Sequence, residues 1–251
     1  MSRFRSFDGV EIYYQTWGRK SAKPPVVLHH GYVANSSANW ILPGMVRRLT
    51  RAGRHVITYD ARGHGRSAKP LGQAAYGESR MASDFSALLD ELRLEQVDLV
   101  GYSMGATVAL LAATQEPRIR RLVAGGVGGD VLHLDSPHRA DGRKALANAM
   151  LASRWSIHNP TLAGFRFLAE MVLADRKAMA AQALAFHAQR IPLEQISAPT
   201  LIIAGDRDTF AKQPGKLQKA ISGAELKVVS GDHTTVLIKP SFQSAIVDFI
   251  T

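Results

Sequence analysis

Three residues that together could activate a nucleophile lie far apart in this chain: Ser103, Asp208 and His233. Ser103 is the middle of Gly101-Tyr102-Ser103-Met104-Gly105. A serine hydroxyl is a weak nucleophile on its own; it needs a base to take its proton and an acid to orient that base. With both partners it can attack an acyl carbonyl. The flanking glycines suit a sharp strand-to-helix turn, where a Cβ would collide as the two backbones approach. Such a turn lifts the hydroxyl out of a sheet and sets it at a helix N-terminus, where unpaired N–H groups and the helix dipole favour a developing oxyanion.

The base must come from elsewhere, and nine histidines compete. Gly231-Asp232-His233-Thr234-Thr235 directly follows the last strand-like run and precedes the last helix-like one. That places His233 at the same sheet edge as Ser103. The preceding run, Leu201-Ile202-Ile203-Ala204-Gly205-Asp206-Arg207-Asp208, ends in two carboxylates. Asp208 is preferred as the orienting acid, because three residues beyond Gly205 the chain has turned back across the sheet edge. Asp206 suits a turn-holding role, accepting backbone N–H groups. His29, His55, His64, His133, His138, His158 and His187 read as packing or surface residues. No His-x-x-x-His or His-Glu-x-x-His spacing suggests a metal, so neither metal nor cofactor is expected. Gly125 to Gly129 lacks the Gly-Lys-Ser/Thr ending of a phosphate loop.

The elements that must position these residues follow from periodicity. Val97–Val100 is a β-branched apolar run before the serine, and Ala109–Ala113 continues at helical density after it. Phe4–Trp17 alternates around Asp8-Gly9 and reads as a hairpin. Val26–Leu28, His55–Tyr59, Ile119–Val127, Pro199–Ala204 and Leu226–Val229 read as further strands, and the spacing predicts helices over 40–52, 79–94 and 242–250. Continuously apolar strands alternating with helices imply a parallel sheet covered on both faces. Between Gly128 and Ile196 there is no strand signal; residues 143–155, 161–173 and 176–190 read as helices. The expected division is therefore a core of residues 1–128 and 196–251 with a helical lid over 129–195, at the sheet edge where ligands bind. In the lid, Trp155, Phe165, Phe167, Met171, Met179, Phe186 and His187 are candidates to face a pocket.

Composition narrows the function classes. The chain has 251 residues, 46% hydrophobic, and no cysteine, which excludes disulfides and thiolate chemistry. Met1–Phe7 is basic but is followed by no apolar core, so no secretory leader is expected and cytoplasmic residence is the default. Apolar runs are too short to span a membrane. The net charge is +10, and residues 1–70 hold twelve of the 31 Lys and Arg against three of the 21 Asp and Glu. These cations are scattered, which fits a solvated face or a field that draws in anionic substrates. No basic helix or interleaved aromatic platform suggests nucleic-acid binding.

The order Ser103, Asp208, His233, with His30-Gly31-Tyr32, Asp60-x-Arg62-Gly63-x-Gly65-x-Ser67 and Gly205-x-x-Asp208, resembles the α/β-hydrolase superfamily, near its small serine esterase, lactonase and haloperoxidase-like branch. The resemblance covers nearly the whole chain and is weakest over the lid. Two positions depart from it: Ala106 where many relatives repeat glycine, and Asp232 before the histidine. The resemblance implies an α/β fold with a mostly parallel central sheet and helices on both faces. It implies that the backbone N–H groups of Tyr32 and Met104 form the oxyanion hole. It further implies a cofactor-independent serine hydrolase acting on a small-molecule carboxylic ester, lactone or thioester. The Asp60–Ser67 turn reads as structural, with Arg62 pairing Asp60. The alternatives are carbon–carbon bond hydrolysis or peracid formation by the same triad, and a non-catalytic ligand-binding protein on the same fold. Oligomeric state is open.

Overall fold

The computed structural model describes residues 2–251. Met1, the start of the stretch read above for a leader, lies outside them. Eight strands form one sheet: β1 (Ser2–Arg5), β2 (Glu11–Trp17), β3 (Val26–His29), β4 (Val56–Tyr59), β5 (Val97–Tyr102), β6 (Ile119–Gly125), β7 (Thr200–Gly205) and β8 (Glu225–Val229). Their spatial order is β1-β2-β4-β3-β5-β6-β7-β8. The β1–β2 hairpin turns at Gly9, whose φ of 82° needs no side chain, and β2 runs antiparallel to β4. From β4 to β8 every pairing is parallel. The inner strands β3, β4, β5 and β7 are buried at every position, as a sheet covered on both faces requires. Edge strand β8 is exposed at four of its five positions.

The helices are α1 (Met45–Arg51), α2 (Glu78–Glu91), α3 (Met104–Ala113), α4 (Arg139–Leu151), α5 (Pro160–Met171), α6 (Arg176–Leu184), α7 (Pro214–Lys219) and α8 (Pro240–Ile250). One apolar core contains Met81, Phe85, Leu88 and Leu89 of α2 together with α3. A second, with Trp40, α1 and Phe242, Ile246 and Ile250 of α8, lies on the other face. Among the described residues no helix is long and apolar enough to cross a membrane.

Several local expectations change. The helix expected over 40–52 is a turn at Ser37–Ile41 followed by α1, because Pro43 lacks an N–H and Gly44 takes a left-handed φ of 93°. α4 starts at Arg139, four residues early, and α6 ends at Leu184, beyond which the His187 amide donates to Glu78 of α2 at 2.7 Å instead of continuing the helix. Arg62 does not pair with Asp60. Its Nε donates to Asp84 Oδ2 at 2.7 Å, and its Nη1 and Nη2 donate to Asp8 at 2.8 and 3.1 Å. Asp60 instead accepts from the Ser36 amide, the Ser36 hydroxyl and the Arg66 amide at 2.9, 2.6 and 2.8 Å. A long guanidinium reaches partners across elements, while a short carboxylate serves the nearest amides.

Candidate active site

Ser103 joins β5 to α3 with φ 56° and ψ −119°, a conformation that L-residues adopt only when their surroundings impose it. β5 is paired on both sides, and the Ser103 amide donates to Gly125 O at 2.8 Å. A Cβ on Gly101 would stand 2.2 Å from Gly105 O, and one on Gly105 2.4 Å from His29 O and 2.6 Å from His30 O. These approaches are why both positions must be glycine. The turn after β3 lies directly on this elbow: a Cβ on Gly31 would sit 3.3 Å from Ser103 Cβ. Met104 is the first residue of α3, so its amide has no intrahelical acceptor.

His233, in the loop after β8, brings Nε2 to 3.0 Å from Ser103 Oγ. Its Nδ1 lies 2.9 and 2.8 Å from Asp208 Oδ1 and Oδ2. With Nδ1 protonated toward the carboxylate, Nε2 offers its lone pair to the serine hydroxyl. The Asp208 side chain is 0% exposed, and the Phe210 amide donates to it at 2.9 Å. Asp206 touches neither histidine nor serine; it accepts the Gly231 amide at 2.9 Å and so ties the two loops together. The loops pass so closely that a Cβ on Gly205 would meet Gly231 O at 2.2 Å. Tyr102 Oη donates to His233 O at 2.6 Å, and the Tyr102 and Phe210 rings flank the imidazole at 5.1 and 4.8 Å. Asp232 accepts the Thr234 and Thr235 amides, both at 2.9 Å, which holds its carboxyl below the usual range and caps the turn that follows.

A sequence model of the alpha/beta hydrolase fold matches residues 24–148. A non-heme chloroperoxidase of Kitasatospora aureofaciens is 28% identical over 261 residues, covering 93% of this chain and 92% of that protein. Among solved structures, an esterase from Exiguobacterium antarcticum superposes with a TM-score of 0.81 at 25% identity, covering 99% of this chain and 98% of that one. The enol-lactonase from Burkholderia xenovorans LB400 does so with 0.76 at 25% identity, covering 99% of both chains. The chain has the α/β-hydrolase fold.

In this hydrolase a cavity of about 370 Å³ opens beside Ser103, between the sheet edge and the helices that connect β6 to β7. Tyr32, Met104 and Thr107 form its floor, and Val131, Leu134, Leu146, Phe165, Phe186 and Phe210 its apolar walls. Tyr32 Oη donates to Met179 O at 2.8 Å, which ties the floor to α6. Of the aromatic and methionine candidates, Phe165, Phe186 and His187 line the cavity. Met179 is fully buried, while Trp155, Phe167 and Met171 are 79%, 61% and 65% exposed. Their helical spacing is right, but they fall on the outward face.

His30 is structural. Its Nδ1–H donates to Gly31 O at 2.8 Å and its Nε2 accepts the Ala61 amide at 2.9 Å, while burial keeps the ring neutral. Neighbouring His29 is likewise buried and pushed down to about 3. Apart from His187, the polar part of the cavity was not legible in the sequence: Glu78, Asp130, Arg139 and Arg143 line it with that histidine. Glu78 accepts the His187 amide at 2.7 Å, and burial pushes its carboxyl up to about 7. In the sequence an acid at that position is indistinguishable from an ordinary residue of a helix's first turn.

Proposed function

We propose that this hydrolase is a serine hydrolase that cleaves a carboxylic ester, a lactone or thioester being variants of the same chemistry, through an acyl-enzyme. The observation that carries the reading is the unbroken hydrogen-bonded relay from Ser103 Oγ through His233 to the buried Asp208 carboxylate. His233 Nε2 takes the hydroxyl proton as Ser103 attacks the carbonyl. The negative charge moves to the carbonyl oxygen, where the Tyr32 and Met104 amides receive it; losing one donor at such a site costs roughly 3 kcal/mol. The protonated imidazole, stabilised by Asp208, then gives its proton to the leaving alkoxide. Water, deprotonated by His233, attacks the acyl carbonyl and restores the serine with release of the acid. The helical segment 129–195 acts in this reading as a lid that walls the acyl-binding space, consistent with the aromatic residues it contributes to the cavity.

A fluorophosphonate probe tests the assignment. Wild type should be labelled and should turn over p-nitrophenyl butyrate, while Ser103→Ala should do neither. Labelling that persists in Ser103→Ala, or a wild type inert to both reagents, overturns it. The similarity to a protein named a chloroperoxidase favours one second reading: hydrogen peroxide replaces water, attacks the acyl-enzyme, and leaves as a peracid while the serine regains its proton. Peroxide-dependent halogenation of monochlorodimedone in the presence of a carboxylate and bromide distinguishes it, since simple ester hydrolysis yields none.

A further inference from the structure

The cavity beside Ser103 changes character across its lining. Beside the triad its wall is aromatic, with the Phe210 ring 4.8 Å from that of His233 and Phe165 packed on Phe210 at 5.6 Å; a separate part of the lining is polar, with Arg139 and Arg143, one turn apart on α4, near Glu78 and His187. Arg143, Phe186 and His187 also line an adjoining surface cavity with Gln73 and Ser79, so this polar part meets solvent.

We propose that this part of the cavity is a carboxylate subsite, in which Arg139 and Arg143 hold a carboxylate that the substrate carries at a distance from its scissile carbonyl. The proposal rests on the ester-hydrolase reading and adds the substrate class. Its first support is the pairing of the arginines. Elsewhere in the chain Arg62, Arg118 and Arg120 each meet a carboxylate at 2.5 to 2.8 Å. Among the described residues Arg143 meets none, and Arg139 reaches only Asp130, itself 69% exposed, with a 3.9 Å contact to the carboxylate and a 3.4 Å hydrogen bond from Nη1 to the backbone O. Two half-buried guanidiniums without a close carboxylate, both lining one cavity, leave most of their planar donor forks, which match a carboxylate bidentately, open to a ligand.

The second support is the acid beside them. Glu78 could neutralise the pair, but it is buried, spends one oxygen on the His187 amide, and has its carboxyl pushed up to about 7, so that much of it is uncharged near neutrality. A neutral carboxyl leaves the corner cationic and can donate a further hydrogen bond to the incoming anion. His187, half-buried, is held below its ordinary value by burial, so that its ring is neutral and the positive charge of this corner is that of the two arginines. The apolar residues that share this lining, Leu134, Leu146 and Phe165 among them, suit the methylene chain that would join a carboxylate to an acyl carbon. The net charge of +10 draws such anions toward the surface but selects none of them.

The test compares matched esters on the full chain. p-Nitrophenyl half-esters of succinate, glutarate and adipate place the carboxylate on the acyl side, against the butyrate, valerate and hexanoate esters. 4-Carboxy-2-nitrophenyl butyrate against 2-nitrophenyl butyrate places it on the alcohol side. At least one anionic ester should exceed its neutral match at least tenfold in kcat/KM, chiefly through KM. Arg139→Ala and Arg143→Ala should each cut that ratio at least tenfold, with part of it retained in Arg143→Lys. Lys144→Ala removes an exposed cation from the same helix and should leave the ratio within twofold. Neutral esters cleaved with no anionic preference in either series overturn the subsite, as does a preference that Lys144→Ala reduces equally. Calorimetry with Ser103→Ala and monomethyl adipate reads the subsite without turnover. Binding that disappears on adding Arg143→Ala supports it even if the ester-hydrolase reading fails, and no binding counts against it.

Discussion

The sheet edge that carries Ser103, Asp208 and His233 and the helical segment between β6 and β7 are held by different kinds of contact. At the sheet edge the constraints are backbone to backbone. Gly101, Gly105 and Gly205 admit approaches of 2.2 to 2.4 Å from an added Cβ, and every residue of β5 and α3 is buried. At the opposite end of β5, Asp98 is clamped by Arg54 and by Arg120 at 2.7 and 2.8 Å, which anchors the strand from below. The helical segment meets this core through side chains: Met150, Met179 and Ala183 share its apolar cluster, and scattered hydrogen bonds tie the two together, Tyr32 Oη to Met179 O at 2.8 Å, Gly77 N to Gln182 Oε1 at 3.1 Å and His187 N to Glu78 at 2.7 Å. It also leaves large apolar side chains such as Trp155 and Leu173 in solvent. Close-packed backbone holds reacting atoms to tenths of an ångström, whereas side-chain tethers let a wall vary; the proposed chemistry resides in the first region and selectivity in the second.

Substitutions can break this contrast, beginning with the triad. Asp208→Asn should lower kcat about 10³- to 10⁴-fold by favouring the wrong histidine tautomer, while Asp206→Asn, which loosens only a loop tie, should cost less than about tenfold. Steady-state assays of the pair check the order, and the reverse order would move the acid to Asp206. Gly105→Ala should destabilise the fold by about 3 kcal/mol or more, because the new methyl meets two backbone carbonyls that cannot withdraw; chemical denaturation measures it.

Glu78→Gln sharpens the other side of the comparison. A carboxyl raised from 4.5 to about 7 in the folded state contributes stability below 4.5 that is lost as pH rises through 7. The variant should therefore gain on wild type between pH 5 and 8.5, by on the order of 2 kcal/mol. A difference in melting temperature that does not move with pH refutes the assignment. The smallest effect is expected for Tyr32→Phe, which loses one hydrogen bond to α6, about 1 kcal/mol, and keeps the backbone donor. Its kcat should stay within a few fold while protease cleavage within residues 129–195 accelerates.

Legibility followed the same division. The elbow could be read because Gly-x-Ser-x-Gly flanked by an apolar run and a helix describes a local backbone conformation, and local conformation is encoded in adjacent residues. Asp208 could be preferred over Asp206 because three residues past Gly205 is a statement about where a chain turns. The partners of Arg62 could not: Asp60 is two residues away, yet Asp8 and Asp84 take the guanidinium because the fold carries them to it. Nor could Glu78, Arg139 and Arg143, since helical periodicity gives a face but not what the face looks at. The same limit applies to Phe167 and Met171, whose spacing matched that of Phe165 but whose side chains emerge into solvent.

The amino-acid order alone determined a mostly parallel sheet, the serine elbow and the loops that carry acid and base, because short-range patterning and glycine placement dictate backbone course. Only tertiary structure decided that the imidazole meets the carboxylate the sequence merely favoured, which arginines lack a close carboxylate, and that a buried glutamate shares a cavity with them. Those outcomes depend on distances between segments remote along the chain, and on burial, which is a property of the assembled fold and not of any one stretch of it.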